Sequence, residues 1–339
     1  MFLKSYIKLF LISLLLPVQV IHAQDRSSRN DSSAIREEYI GWMFQFPDAG
    51  ENDQERFGKK LVRLIFGRDN ITSVLKPVSI LARDTNDFWI LDQGNGVVFN
   101  IKDKVGDIPH FKNKDLKIFP SLVGICSFQE NNFLFTDSFL NKIFIASPQS
   151  KKLEIFNDSL LLNRPTGIAY SSVNQQIWVV ETAAHCISVL DKDGHFIKKI
   201  GHRGGAPGEF NFPTYIWIDK FGKIFIVDSM NFRIQVFSSD GELLLIFGEI
   251  GDGTGSFARP RGIATDSDGN VYVADALFNT VQIFDYNGNF LYNFGLQGRG
   301  KGQFWMPAGI YIDDKDYIYV ADTYNSRIQV FKYLKSADK

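Results

Sequence analysis

Two cysteines in 339 residues are too few for a disulfide framework, and they cannot alone complete a four-thiolate zinc site. Histidine is nearly as scarce. Of five in all, four (His110, His185, His195 and His202) lie beyond the N-terminal apolar segment. An excess of charge of one sign is also missing. Thirty-seven basic residues face 38 acidic ones, a formal charge of -1, so the chain lacks the footprint of a nucleic-acid binder. No Gly-x-Ser-x-Gly elbow occurs, and His185 and Cys186, as neighbours on a strand, would point to opposite faces. These absences argue against a nucleophilic hydrolase.

What is present begins with an address. Residues 1–23 carry Lys4 and Lys8, an apolar run from Leu9 to Leu16, then Pro17 and a more polar end at Ala23, the three regions of a signal peptide. Even stretched from Ile7 to Ile21, the apolar part is shorter than the roughly 20 residues a membrane span needs. No cysteine sits near the junction to take a lipid. The expectation is a cleaved, periplasmic or secreted product with no transmembrane segment. Residues 24–59 read as a polar N-terminal extension in which Trp42, Phe44 and Phe46 offer anchors to whatever follows.

The rest of the chain repeats. A motif opening on proline recurs as Pro165-Thr-Gly-Ile-Ala, Pro213-Thr-Tyr-Ile-Trp, Pro260-Arg-Gly-Ile-Ala and Pro307-Ala-Gly-Ile-Tyr, with fainter copies at Pro77 and Pro120. The clear copies are 48, 47 and 47 residues apart. Fifteen to sixteen residues after most of these prolines an apolar stretch ends in an acid: Asp92, Asp137, Glu181, Asp228, Asp275 and Asp322. Two alternating runs joined by turn residues lie between each proline and its acid, a third run follows, and a fourth comes after another glycine turn. Each unit is therefore a four-stranded meander. Six such units at this period predict an all-β, six-bladed β-propeller over residues 60–333, because one blade cannot cover both of its apolar faces alone. Residues 334–339 are left as a tail. The chain stops soon after the third strand of the last unit, so an N-terminal strand must complete that blade. Residues 60–66 are the expected strand, since Lys60-Leu-Val-Arg-Leu-Ile-Phe66 resembles Leu243-Leu-Leu-Ile-Phe247. A single closed ring is expected to stand as a monomer.

The segments Asp228-Ser-Met-Asn-Phe-Arg-Ile-Gln-Val-Phe237 and Asp322-Thr-Tyr-Asn-Ser-Arg-Ile-Gln-Val-Phe331 resemble the NHL repeat. Blades four and six match closely, whereas blade five has Phe278 and Thr280 where the repeat has asparagine and arginine. The resemblance implies fold more than function, because such propellers include protein-targeting, RNA-binding and sensor domains, a zinc-dependent amidating lyase, and many exported bacterial proteins. A signal peptide with a lone propeller is most like the last group. The lyase carries metal histidines next to its strand-opening prolines; here the matching positions are Thr166, Thr214, Arg261 and Ala308.

In such a ring the turns after second strands and the connections between blades share one irregular face. That face collects Phe139, His185, Tyr215, Phe232, Arg261, Phe278, Trp305 and Tyr324, an aromatic and arginine-bearing rim suited to a protein, peptide or glycan. For any single one of them the competing reading is packing between blades. The opposite face, built from glycine hairpins, is expected to be inert. The six recurring acids admit a calcium reading at the channel, but hydrogen bonds from their own turns, or pairing with the arginine five residues on in blades four and six, explain the recurrence without a ligand. Zinc has only His185 and His202 to offer, too few for a site. Glycine-rich connections such as Gly201-His-Arg-Gly-Gly-Ala-Pro-Gly208 lead into strands rather than helices and so do not form phosphate loops; Phe210, Phe257 and Phe304 are expected to plug them. The resulting expectation is a binding or scaffold module without cofactor, not directed at nucleic acid, with a metal-dependent lyase or lactonase at the central channel as the alternative.

Overall fold

The computed structural model describes residues 39–47, 73–107, 119–156 and 160–334. Within them, six separate four-stranded antiparallel sheets follow one another around a ring. Blade four shows the plan: an inner strand Ile216–Ile218, then Ile224–Asp228, Arg233–Phe237 and an outer strand Leu243–Phe247. The inner strands of the other blades are Pro77–Asp84, Leu122–Phe128, Pro165–Ser171, Pro260–Thr265 and Ile310–Ile312. The six-bladed, all-β architecture read from the repeat is the one observed.

The second and third strands explain why blades cannot stand apart. Every residue of Ile224–Asp228, Val271–Asp275 and Thr280–Phe284 is buried, on both faces of its sheet, as for strands in the middle of a stack. The core is divided accordingly. Its six apolar clusters each lie between two neighbouring blades: Trp89, Leu91, Phe133 and Phe135 between blades one and two, for example, and Trp178, Val189, Phe210 and Ile226 between three and four. The connections between blades carry the expected plugs. Phe210, Phe257 and Phe304 are fully buried, each ring lying where a side chain on Gly201, Gly248 or Gly295 would stand, and each of these glycines has a positive φ.

The seam corrects one expectation. The outermost strand of blade six is Tyr39–Phe46, which pairs antiparallel with Arg327–Leu334 from Tyr39 opposite Leu334 to Phe46 opposite Ile328. It is therefore not residues 60–66, which lie outside the described residues, and the ring begins within the stretch read as an extension. Trp42 and Gln45 supply what the apolar pattern of 60–66 could not. The Trp42 indole N–H donates to Gln329 at 3.1 Å, and the Arg327 guanidinium donates to Gln45 at 2.9 Å. Trp42, Phe44 and Phe46 also pack on the clusters on either side of blade six, the anchoring role read for them. The signal peptide read at residues 1–23 lies outside the described residues.

Around the axis, the Pro-x-Gly motif has a specific job. In blades three and five the pairing of the inner strand skips two residues after the proline, and the displaced glycine turns its N–H to the next blade instead. Gly167 donates to the Thr214 carbonyl at 2.8 Å, Gly262 to Ala308 at 2.9 Å, and in blade six Gly309 to Val78 of blade one at 3.0 Å. A Cβ at Gly124, Gly167, Gly262 or Gly309 would stand 2.4 to 2.8 Å from backbone of the following blade. Side chains close the remaining junctions, with Gln93 donating to the Leu122 carbonyl, Thr136 to Thr166 and Ser229 to Pro260.

Two outcomes follow from this geometry. A chain beginning at residue 48 should lose stability as a whole ring, seen as a downward shift of a single thermal transition, and a curve unchanged from the parent would count against the seam. Gly262→Val should destabilise by about 1–3 kcal/mol or more in urea unfolding, because the inserted methyls meet backbone that cannot move aside.

Candidate functional site

Each of the six recurring acids is buried, and each is fully engaged by its own blade. Asp228 accepts from the Asn211 backbone N–H at 2.7 Å, from Asn231 Nδ2 at 2.8 Å, Arg233 Nε at 2.9 Å and Gln235 Nε2 at 3.1 Å. Asp322 repeats this set with Trp305, Asn325, Arg327 and Gln329. The arginines also donate to carbonyls of the connection between blades, Arg233 to Gly205, Ala206 and Glu209, and Arg327 to Arg299, Gly300 and Gln303. The Asp-x-x-Asn-x-Arg-x-Gln pattern is thus a clamp on the loop that enters the blade. Where the arginine is absent, backbone takes over: Asp92 receives Leu75, Lys76 and Asn95; Asp137 receives Ser121, Phe139 and Leu140; Asp275 receives Ala258, Arg259, Leu277 and Phe278. Glu181 takes Asn163 N–H, the Ser188 hydroxyl and the Lys199 ammonium. Burial pushes the Asp92, Asp228 and Asp322 carboxyls up, against the lowering pull of these donors.

Both cysteines are free, and neither is activated. Burial pushes the Cys126 thiol up to about 12 and, with the Glu181 charge, the Cys186 thiol up to about 11. Among the described residues, the grouping close enough to share an ion is Asp191, Asp193 and His195, on an exposed hairpin turn of blade three. There the Asp191 carboxylate already caps the turn, accepting from the Asp193 and His195 N–H groups. His202 stands apart from it, at the start of the connection to blade four, where its Nε2 lies 3.3 Å from Glu209.

The eight rim residues divide. Phe139, Trp305 and Tyr324 are exposed. The Trp305 and Tyr324 rings face one another at 5.9 Å, with the Arg299 guanidinium 5.3 Å from the Trp305 ring and Lys76 5.7 Å from that of Tyr324. A small hollow of about 270 Å³ opens beside Trp305 between Gln297, Gly298 and Arg299. Arg261, Phe232 and Phe278 are half-buried, Phe232 packing against the cluster between blades four and five. His185 is buried, its Nδ1 accepting the Phe212 N–H at 3.1 Å, with the two rings 4.3 Å apart. It is a brace for the connection between blades three and four, the task Asn279 performs for Met306 between five and six.

The register of the repeat shows a pattern that reading residue by residue missed. Two positions after the acid, Phe139, Met230, Leu277 and Tyr324 occupy equivalent places in four blades, with 73%, 53%, 53% and 51% of their surface exposed. Leu277, not its aromatic neighbour Phe278, belongs to this apolar circle. Aligning the six acids and comparing the second residue beyond each would have found it.

Tyr215 decides the shape of the channel. It stands where blades three, five and six have glycine, and its hydroxyl reaches across the axis to donate to the Val78 carbonyl of the opposite blade at 3.0 Å. Burial pushes this phenol up, while the neighbouring Arg261 charge pulls it down. The ring is buried at the axis. Below it, a cavity of about 570 Å³ opens on the hairpin face, between the ends of the inner strands and the turns that follow them. The face expected to be inert thus carries a cavity of its own. Its sequence signal is the fifth motif residue, which is Ala169 and Ala264 in two blades but Trp217 and Tyr311 in two others.

Comparison with known proteins places this geometry. Residues 152–244 match a family described as a 6-bladed beta-propeller, and residues 257–284 and 304–331 match the NHL repeat. No curated protein matches the sequence. Among solved structures, a protein of unknown function from Bacteroides thetaiotaomicron is similar, with TM-score 0.60, 16% identity, and 79% of this chain and 72% of that one covered. An auxiliary nutrient binding protein from Bacteroides ovatus gives 0.57 at 12% identity, over 78% and 70%. Virginiamycin B lyase from Staphylococcus aureus gives 0.55 at 16% identity, over 78% and 97%. At these identities the likeness is one of fold. The chain is a six-bladed propeller carrying NHL repeats.

The clamp is open to a direct check. Arg327→Ala leaves Asp322 buried with its cationic partner gone and takes one donor from each of three loop carbonyls, so the ring should lose about 3–5 kcal/mol in chemical unfolding. Arg327→Lys should recover only part of that, since an ammonium cannot span the same fork.

Proposed function

We propose that this chain is an exported binding or scaffold module that holds a protein or peptide on its irregular face. The observation that carries the reading is the apolar circle of Phe139, Met230, Leu277 and Tyr324, extended by Trp305 and by Phe212, which is 39% exposed. Side chains of this size, exposed at one repeat position around the rim, are a cost in water that a macromolecular partner removes. Arg299 and Lys76 beside the aromatic pair favour a partner that brings carboxylates with its apolar groups. Export rests on the N-terminal lysines followed by the Leu9 to Leu16 run, and leads to the periplasm or beyond. No helix among the described residues is long and apolar enough to cross a membrane.

A second reading draws on one observation. The Trp305 and Tyr324 rings, with Gln297 and Arg299 at their margin, form a platform on which a sugar ring could stack, so a glycan is the alternative occupant of the same face. The metal-dependent lyase reading asks the recurring acids to bind an ion. Each of them already accepts at least three hydrogen bonds, and nothing in their arrangement favours that reading.

The test is site-directed photo-crosslinking in cells that export the protein. A photoreactive residue at Phe139 or Tyr324 should give discrete protein adducts, whereas one at Phe221, exposed on the hairpin face, should not. Adducts at Phe221 alone would overturn the assignment. Quenching of tryptophan fluorescence by oligosaccharides, abolished by Trp305→Ala, would establish the glycan reading instead.

A further inference from the structure

The cavity on the hairpin face is distinct from the irregular rim, none of whose residues line it. Its volume of about 570 Å³ falls within the roughly 300–1,000 Å³ typical of small-molecule sites. Its walls differ from side to side. On blades four and six, Trp217 and Tyr311 meet edge to face at 5.5 Å, and the Trp217 indole N–H is held by the Thr265 hydroxyl at 2.9 Å. On blades two and three the equivalent positions are the small Cys126 and Ala169, which leaves a slot facing a fixed aromatic wall.

Two further properties define what the slot suits. Four hydroxyls that line it, those of Ser127, Tyr170, Ser171 and Tyr311, have no hydrogen-bond partner among the described residues, and Ser171 is only 5% exposed. Each of these hydroxyls can donate and accept, so together they offer a ligand's polar groups partners that the protein does not already occupy. The charge is one-sided. Asp219, Asp266, Asp313, Asp314 and Asp316 line the cavity against a single lysine, Lys220, whose ammonium is tied to the Ser267 carbonyl at 2.7 Å. Asp219, Asp266 and Asp313 cap their turns and Asp316 binds Ser267, so these acids are fixed in place, whereas Asp314 is exposed at the mouth. Their field is felt inside: burial, with the Asp314 and Asp313 charges, drives the Tyr311 phenol far up.

We propose that this cup binds a small organic cation, a protonated or quaternary amine whose charge lies against the Trp217 and Tyr311 faces and the acidic mouth while its polar groups complete the free hydroxyls. Aromatic faces attract such cations and the carboxylates concentrate them, whereas anions are repelled. The class is shared by polyamines and choline-like compounds. Both serve as probes.

The experiment is titration calorimetry of the full exported chain with spermidine, choline, glucose and calcium chloride, each alone. Saturable binding of spermidine or choline is expected, with the affinity falling about fivefold in Asp314→Asn, the loss of one near charge in a partly aqueous site. Tyr311→Phe should weaken binding as well. Both variants should melt like the parent, since one removes an exposed charge and the other a hydroxyl without a partner. The proposal fails if neither cation binds saturably, if glucose or calcium binds in their place, or if cation affinity is the same in both variants as in the parent.

Discussion

A sheet that is apolar on both faces is insoluble as a unit, and everything else in this molecule answers that constraint. Each blade buries its faces only against the blades before and after it, so the six core clusters are six interfaces and no blade has a core of its own. Stability is therefore a property of the closed ring. The seam makes the dependence visible: Tyr39–Phe46 must return to Arg327–Leu334, across nearly the whole chain, before the last interfaces are complete.

Closure also dictates what happens at the axis. Six inner strands converge there, and the Pro-x-Gly bulge lets their backbones come close enough to hydrogen-bond from blade to blade. This leaves little room at the level of the glycines. Blade four breaks the motif with Tyr215, whose hydroxyl bonds to the far side. One substitution within a repeat thus sets a hydrogen-bonded ring across the axis, while the cavity opens among the hairpins.

The same repeat positions serve packing in some blades and surface chemistry in others. The acid of each second strand always points into its own entry loop, which is why carboxylates repeated around a ring do not gather into a site. The residue two places further on is free of that duty and, in four blades, is large, apolar and exposed. On the hairpin face the turn-capping aspartates are likewise structural, and Tyr286, Tyr272 and Tyr319 donate to Asp219, Asp266 and Asp313 in turn. Their charge, however, extends into the cavity they surround. A residue can be fully explained by local hydrogen bonding and still set the field of a neighbouring site.

The sequence alone determined the strand count, the four-stranded unit, the number of blades and the need for an N-terminal strand to close the last one, because hydrophobic period and turn residues are local signals that repetition amplifies. It also pointed to a hydrogen-bonding role for the acids, most directly where an arginine follows at the fifth place, while leaving a calcium reading open. Only the tertiary structure decided which N-terminal segment closes the ring, since the competition between residues 39–46 and 60–66 turns on partners such as Gln329 and Arg327 some 280 residues away. It alone moved His185 and Tyr215 from the rim to the interior, and it alone showed that the hairpin face holds a cavity of about 570 Å³. Those outcomes depend on which side chains from different blades meet at the axis, a distance the repeat pattern does not carry.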